Sequence, residues 1–305
     1  MRILVVGAGA VGGYFGGRLM EKGEDVTFLV RERRKKQLEE TGLKIESAHG
    51  NIELSPKLIL SGEKTEAFDL ILLSTKAYHL EEAIESFREY AGERTAILPL
   101  LNGISHYEKL IAKFGKKRVV GGLCFIETTL DAEGEIIQTS PRHDLVFGEL
   151  TGERTERIVK IEEAFAGTNV GYQLSDDIKK ALWNKYLFIS TMSGITTLMR
   201  APIGPIREEP SGRAVIEKLL QEIVTVMKLA GAPFPDDIVE QQLNQIDSLE
   251  YSMKSSMQRD MEKLSQVEAD HLHGYLLGIA QKEQIPVPAL EAVYANLKIY
   301  EQTLK

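Results

Sequence analysis

Three glycines near the start of the chain, Gly7, Gly9 and Gly12, follow the apolar run Ile3-Leu4-Val5-Val6 in the spacing G-x-G-x-x-G. Strand, glycine turn and helix in that order suit a dinucleotide pyrophosphate. The first glycine makes the turn, the second lets backbone N–H groups approach phosphate, and the third lets helix and strand pack closely. The helix N-terminus adds partial positive charge. Gly7, Gly9, Ala10, Val11 and Gly12 are therefore the candidate phosphate-binding residues. Two other readings fail. Arg2 followed by apolar residues resembles a secretory leader, but six glycines between Gly7 and Gly17 interrupt the run, and no small-residue cleavage site precedes Glu21-Lys22. Gly12-x-x-x-Gly16 resembles a membrane helix-packing motif, yet no apolar segment of about 20 residues surrounds it.

Arg31 ends the second apolar run, where folds that prefer NAD place an acid to accept hydrogen bonds from the ribose 2′-OH. A guanidinium there pairs with a 2′-phosphate, so NADP(H) is the expected cofactor. Arg33, Arg34, Lys35 and Lys36 read as the solvated start of a helix, and Glu32 could also reach a ribose. Lys76 and Asn102 each follow a buried apolar run, the position where open α/β sheets bind ligands. Lys185 stands inside the apolar stretch Ala181–Ile189. Loss of solvation there would lower its pKa and suit it to proton donation, whereas snorkelling would return it to solvent. Glu268 and Asp270 stand at the head of an apolar helix, where acids commonly serve the helix dipole. His271 and His273 are two apart and point to different faces, which argues against a metal site.

The elements that position these residues fall into two groups. Tyr14–Lys22 reads as the first helix, stopped at Gly23, and residues 25–30 as the second strand. Residues 43–60 read as edge strands or a hairpin inserted in the sheet. Residues 68–74 and 96–101 are nearly continuous apolar runs, as parallel strands buried on both faces require. Residues 119–129, 135–139 and 145–148 read as short strands extending that sheet, followed by a helix (153–165) and a last strand (170–174). From Ser175 onward the spacing is helical throughout, with breaks at Pro202–Pro210, Gly231–Pro235 and Pro286–Pro288. The expected fold is α/β: a Rossmann-type dinucleotide-binding domain over 1–174, then an all-helical substrate and dimerisation domain over 175–305.

The 305 residues suffice for two cores. A net charge of −8 argues against nucleic acid as the main partner. Cys124 is the single cysteine and sits in an apolar run, so it reads as a buried core thiol. No targeting signal or membrane span is evident, and the cytoplasm is the expected compartment.

Taken together, Gly7–Gly12, Thr75-Lys76-Ala77, Leu101-Asn102-Gly103, Leu182-Trp183-Asn184-Lys185, Ser255–Asp260 and Glu268-x-Asp270-x-x-x-Gly274-Tyr275-Leu276 resemble the ketopantoate (2-dehydropantoate) reductase family, end to end. The resemblance implies NADPH-dependent reduction of a 2-oxo acid to a 2-hydroxy acid. By position it makes Lys185 the general acid, and has Glu268 hydrogen-bond the substrate hydroxyl. Lys76 and Asn102 orient nicotinamide and substrate, Ser256 binds the substrate carboxylate, and Arg31 reads the 2′-phosphate. The chain departs from the family pattern at Ile189 and Ser193, where two asparagines are usual, and at His273, where another is common. A pocket bearing Ile189 would suit a more apolar 2-oxo acid than ketopantoate.

Three functions are therefore in play: reduction of ketopantoate, reduction of another 2-oxo acid, and non-catalytic sensing of NADP(H). Retention of both Lys185 and Glu268 speaks against the sensor. The apolar positions of residues 211–229 and 288–300 suggest a homodimer through the helical domain.

Overall fold

The computed structural model describes residues 1–304. Contacts divide them into two compact units. One comprises residues 1–101 and 106–179; the other comprises 102–105 together with Lys180 onward.

In the first unit, strands β1 (Arg2–Val6), β2 (Asp25–Leu29), β5 (Lys57–Ile59), β6 (Leu70–Leu73) and β7 (Ala96–Pro99) form a parallel sheet in the order β5-β2-β1-β6-β7. Every residue of β6 and β7 is buried, which is why those runs carry no polar alternation. A second sheet runs β10-β9-β3-β4, from β3 (Leu43–Ser47), β4 (Ile52–Leu54), β9 (Ile136–Gly148) and β10 (Gly171–Leu174). Strand β8 (Gly121–Leu130) pairs antiparallel with β9. The strands expected to extend the nucleotide sheet thus form a sheet of their own, while Val119, just before β8, bridges parallel to Ile97 of β7. Residues 135–139 and 145–148 are the two ends of one long strand. Similarly, residues 43–60 split, with β3 and β4 joining the second sheet while β5 edges the first.

Helix α1 (Ala10–Lys22) packs on residues of both sheets. It starts four residues earlier than Tyr14 because its glycines belong inside it. A Cβ on Gly16 would come within 2.8 Å of Val5 and Phe28, and one on Gly13 within 2.4 Å of Ile136. One at Gly17 would meet Ile45 at 2.7 Å. Gly12 and Gly16 form one stripe along the helix and Gly13 and Gly17 another, so each sheet has its own smooth helix face. Gly23 ends the helix at φ +103°, its N–H returned to Leu19 and Met20. Helices α2 (Glu32–Thr41), α3 (Leu80–Phe87), α4 (Ser105–Phe114) and α5 (Glu156–Phe165) complete the unit, apart from the first residue of α4. Cys124 is buried in β8.

The second unit is helical. Helix α6 (Ile178–Met199) is followed by α7 (Ile203–Glu208), α8 (Pro210–Leu229), α9 (Ile238–Asp247), α10 (Ser256–Glu262), α11 (Tyr275–Lys282) and α12 (Pro288–Thr303). Ser190, Thr191, Ser193, Thr196 and Thr197 on α6 are all buried. Hydroxyls on three of them fold back onto the preceding turn: Thr191 donates to Leu187 O (2.9 Å), Thr196 to Met192 O (2.7 Å) and Thr197 to Ser193 O (2.5 Å). That satisfies polar groups inside an apolar core within the helix itself, and Thr196 adds a remote partner in Ser255. Among the described residues, no helix is long and apolar enough to cross a membrane.

Candidate active site

The glycine loop is shaped by its own surroundings. Gly7 has φ +94°, the left-handed turn between β1 and α1 that a side chain would strain. Ser74, at the end of β6, donates to the carbonyl oxygen of Gly7 across 3.0 Å. A Cβ on Gly12 would fall 2.1 Å from Ser74 Oγ and 2.2 Å from Gly7 O, so Gly12 is required by the fold. Gly9 differs: a Cβ there would meet nothing within 4 Å. Its missing side chain answers to no protein neighbour, as expected of a residue that leaves backbone open to a pyrophosphate. Two buried polar atoms beside the loop, Arg34 Nη2 and Thr75 Oγ1, have no protein partner among the described residues. These features fit a dinucleotide.

Arg31 caps the start of α2, and its exposed guanidinium pairs with Glu82 at 2.5 Å. Arg34 does more than coat the surface. It is half-buried, and its Nε and Nη1 donate to Ala8 O and Gly134 O at 3.2 and 2.9 Å. Ser74 and Arg34 were not singled out from sequence, since a serine ending a strand and one arginine in a basic run carry no distinguishing pattern. Lys76 begins a single 3-10 turn (Ala77–His79) after β6 and is partly buried.

The other candidates lie in the helical unit. Asn102 belongs to the short segment 102–105, Lys185 is partly buried on α6, and Glu268 is partly buried just before a π-helical turn (Asp270–Gly274) that runs into α11. Three side chains knit these segments together. Tyr186, next to Lys185, donates its hydroxyl to Leu272 O in the π turn. His273 donates from Nε2 to Ser190 O on α6 at 2.9 Å. His271 reaches Asn102 O at 2.6 Å and Ser105 Oγ at 2.8 Å. Asn102, Lys185 and Glu268 thus stand on three segments with cross-links to the π turn.

Ser256 is the exposed first residue of α10, while its neighbour Ser255 caps that helix and bonds Thr196 Oγ1 at 2.7 Å. Ile189 remains partly exposed and Ser193 is buried on α6. Burial pushes the His273 imidazole down to about 4, against a smaller upward pull from its bond to Ser190. The ring is neutral at physiological pH.

A parallel nucleotide-binding sheet with a glycine turn, followed by a helical unit bearing a lysine, a carboxylate and an amide, defines a Rossmann-type oxidoreductase. Family models described as Ketopantoate reductase PanE/ApbA and its C-terminal domain match residues 3–152 and 177–301. The chain belongs to the ketopantoate reductase family. It is 50% identical over 301 residues to an uncharacterized oxidoreductase of Bacillus subtilis, with 99% of each chain covered. It is 28% identical to the 2-dehydropantoate 2-reductase of Pyrococcus abyssi, over 94% of each chain. A crystal structure of 2-dehydropantoate 2-reductase from Geobacter metallireducens superposes with a TM-score of 0.87 at 28% identity, covering 98% of this chain and 99% of that one.

Proposed function

We propose that this chain uses NADPH to reduce a 2-oxo acid to its 2-hydroxy acid, with ketopantoate the first substrate to test, as a step in pantothenate biosynthesis in the cytoplasm. The observation that carries the reading is the hydrogen-bonded junction linking the segments of Asn102, Lys185 and Glu268 within one unit. When bound, the dinucleotide supplies the hydride. The Lys185 ammonium polarises the substrate carbonyl and gives its proton to the oxygen as negative charge develops, a contribution of ~3 kcal/mol for a well-placed donor. Glu268 accepts a hydrogen bond from the substrate hydroxyl, and Ser256 receives the substrate carboxylate. Lys76 and Asn102 orient the reacting groups. Gly7, Gly9, Ala10, Val11 and Gly12 offer backbone to the pyrophosphate, and Arg31 gives up Glu82 for the 2′-phosphate.

Ile189 supports a second reading, in which the substrate is a more apolar 2-oxo acid. With an aliphatic side chain where an amide is usual, one polar substrate group loses a partner, and discrimination shifts toward substrates lacking that group. The test is NADPH oxidation by the purified protein against ketopantoate and a panel of 2-oxo acids, with Lys185→Ala as control. Turnover of ketopantoate that disappears in the variant supports the first reading. Turnover of another oxo acid moves the substrate and keeps the chemistry, and NADPH binding without any turnover favours a sensor.

We also propose a homodimer through the helical unit. Most apolar positions of α8 and α12 are used in its own core, but Leu229 and Ile299 remain 51% and 62% exposed. A monomeric mass by light scattering at micromolar protein would rule the dimer out.

A further inference from the structure

His271 has no role in the chemistry above, yet it joins two of the segments that do. Its Nε2 lies 2.6 Å from Asn102 O and its Nδ1 2.8 Å from Ser105 Oγ. A carbonyl oxygen only accepts, so Nε2 carries a ring proton and donates to it, while Nδ1 shares a hydrogen bond with the serine hydroxyl, which can donate or accept. One imidazole therefore grips both ends of the segment 102–105. The segment is seated closely against it. Gly103 has φ +78°, and a Cβ there would come 3.0 Å from Leu272 Cδ2 and 3.2 Å from His271 Nε2. The backbone carrying the ring is itself held, since Leu272 N donates to Glu268 O at 3.1 Å and Leu272 O accepts from Tyr186.

We propose that His271 is a positioning residue for the reduction: by holding the backbone of Asn102, it sets that side chain in register with Glu268 and Lys185. This rests on the roles given to Asn102, Glu268 and Lys185 under the proposed function. Imidazole suits the task because its two nitrogens lie on different edges of one rigid ring, so a single side chain meets both ends of the segment at fixed spacing.

The test compares wild type, His271→Ala, Asn102→Ala and the double variant, each with a thermal melt. The readouts are steady-state rates on a 2-oxo acid that the wild type reduces, and amide hydrogen exchange over residues 102–105. His271→Ala is expected to lower kcat by about tenfold to a hundredfold, as displacements near 1 Å do, with NADPH affinity changed less than about threefold. The double variant is expected to be no slower than Asn102→Ala alone, because both changes remove the same contribution. Exchange at Gly103 to Ser105 should accelerate. Independent, multiplying losses would overturn the proposal, as would unchanged exchange. If His271→Ala does not melt cooperatively, His271→Phe, which fills the space and bonds neither partner, takes its place. If the wild type reduces no 2-oxo acid, the reading of the reaction fails separately; the exchange result still decides whether His271 fastens the turn.

Discussion

Arg34 Nε donates to the carbonyl oxygen of Ala8 across 3.2 Å, inside the glycine motif, while its Nη1 holds Gly134 O at 2.9 Å. One guanidinium thus ties the glycine loop to the turn between β8 and β9. Burial draws its pKa below the usual arginine value. Arg34→Ala removes a charged donor of about 1.5–3 kcal/mol from that loop, so the KM for NADPH should rise about tenfold or more with kcat little changed. Arg34→Lys, which lacks the fork, should recover only part. A KM within twofold of wild type in Arg34→Ala would show that the loop holds its shape without this residue.

Gly9 and Gly12 should separate ligand from fold. Gly9→Ala adds a methyl that touches no protein atom within 4 Å, so its melting temperature should match wild type while NADPH affinity falls by about tenfold or more. Gly12→Ala drives a methyl to 2.2 Å from a backbone carbonyl and should cost about 1–3 kcal/mol of stability before any ligand is added. Calorimetry of both variants with and without NADPH reads the difference. Equal destabilisation of the two would contradict it.

The parts of this molecule with a local cause could be read from the chain. The Gly7–Gly12 turn, the buried strands β6 and β7, the stop at Gly23 and the change to helix after Ser175 each follow from neighbours in sequence. The assignment of strands to two sheets did not, because pairing β3 with β9 joins Ile45 to Ile136, positions far apart along the chain with no mark of their partnership. The start of α1 was misplaced for a related reason. Glycines at 12 and 13 look like helix breakers until two sheets are known to need their bare faces. Lys185 and Glu268 were visible as charges among apolar neighbours. Arg34 and His271 were not, since their importance lies in the backbone carbonyls they reach, and a carbonyl leaves no trace in residue type.

His273 should make the protein acid-sensitive. An unfolded histidine titrates near 6.5, whereas this buried ring is pushed down to about 4. Between those values the unfolded chain binds a proton that the folded chain refuses. The contribution is therefore complete above about pH 6.5 and is lost as pH falls toward 4, by up to about 3 kcal/mol. His273→Asn can still donate to Ser190 O and has nothing to protonate, so its melting temperature should fall less over that range. Parallel declines in the two proteins would clear His273.

Glu222, buried on α8, supplies a remote cap. Its Oε2 accepts from Ala289 N at 2.9 Å and Leu290 N at 3.0 Å, in the first turn of α12 behind Pro288. Glu222→Ala should destabilise the protein by about 1–3 kcal/mol in urea unfolding, having stripped one buried and one part-buried N–H group of their acceptor. Glu222→Gln keeps an acceptor and loses the charge at the helix start, so about 0.3–1 kcal/mol is expected. Similar losses for both would place the effect in packing instead.

The excursion of residues 102–105 into the helical unit bears on how this protein can be recombined. A chimera joined once near the start of α6 would pair one parent's Asn102 turn with the other parent's π turn. Where the second parent lacks a histidine at the place of His271, the imported turn would have no grip. Exchange of helical units between relatives should therefore move two pieces together, the tetrapeptide and the helices, and a shuffled library would be expected to recover them as one inheritable block.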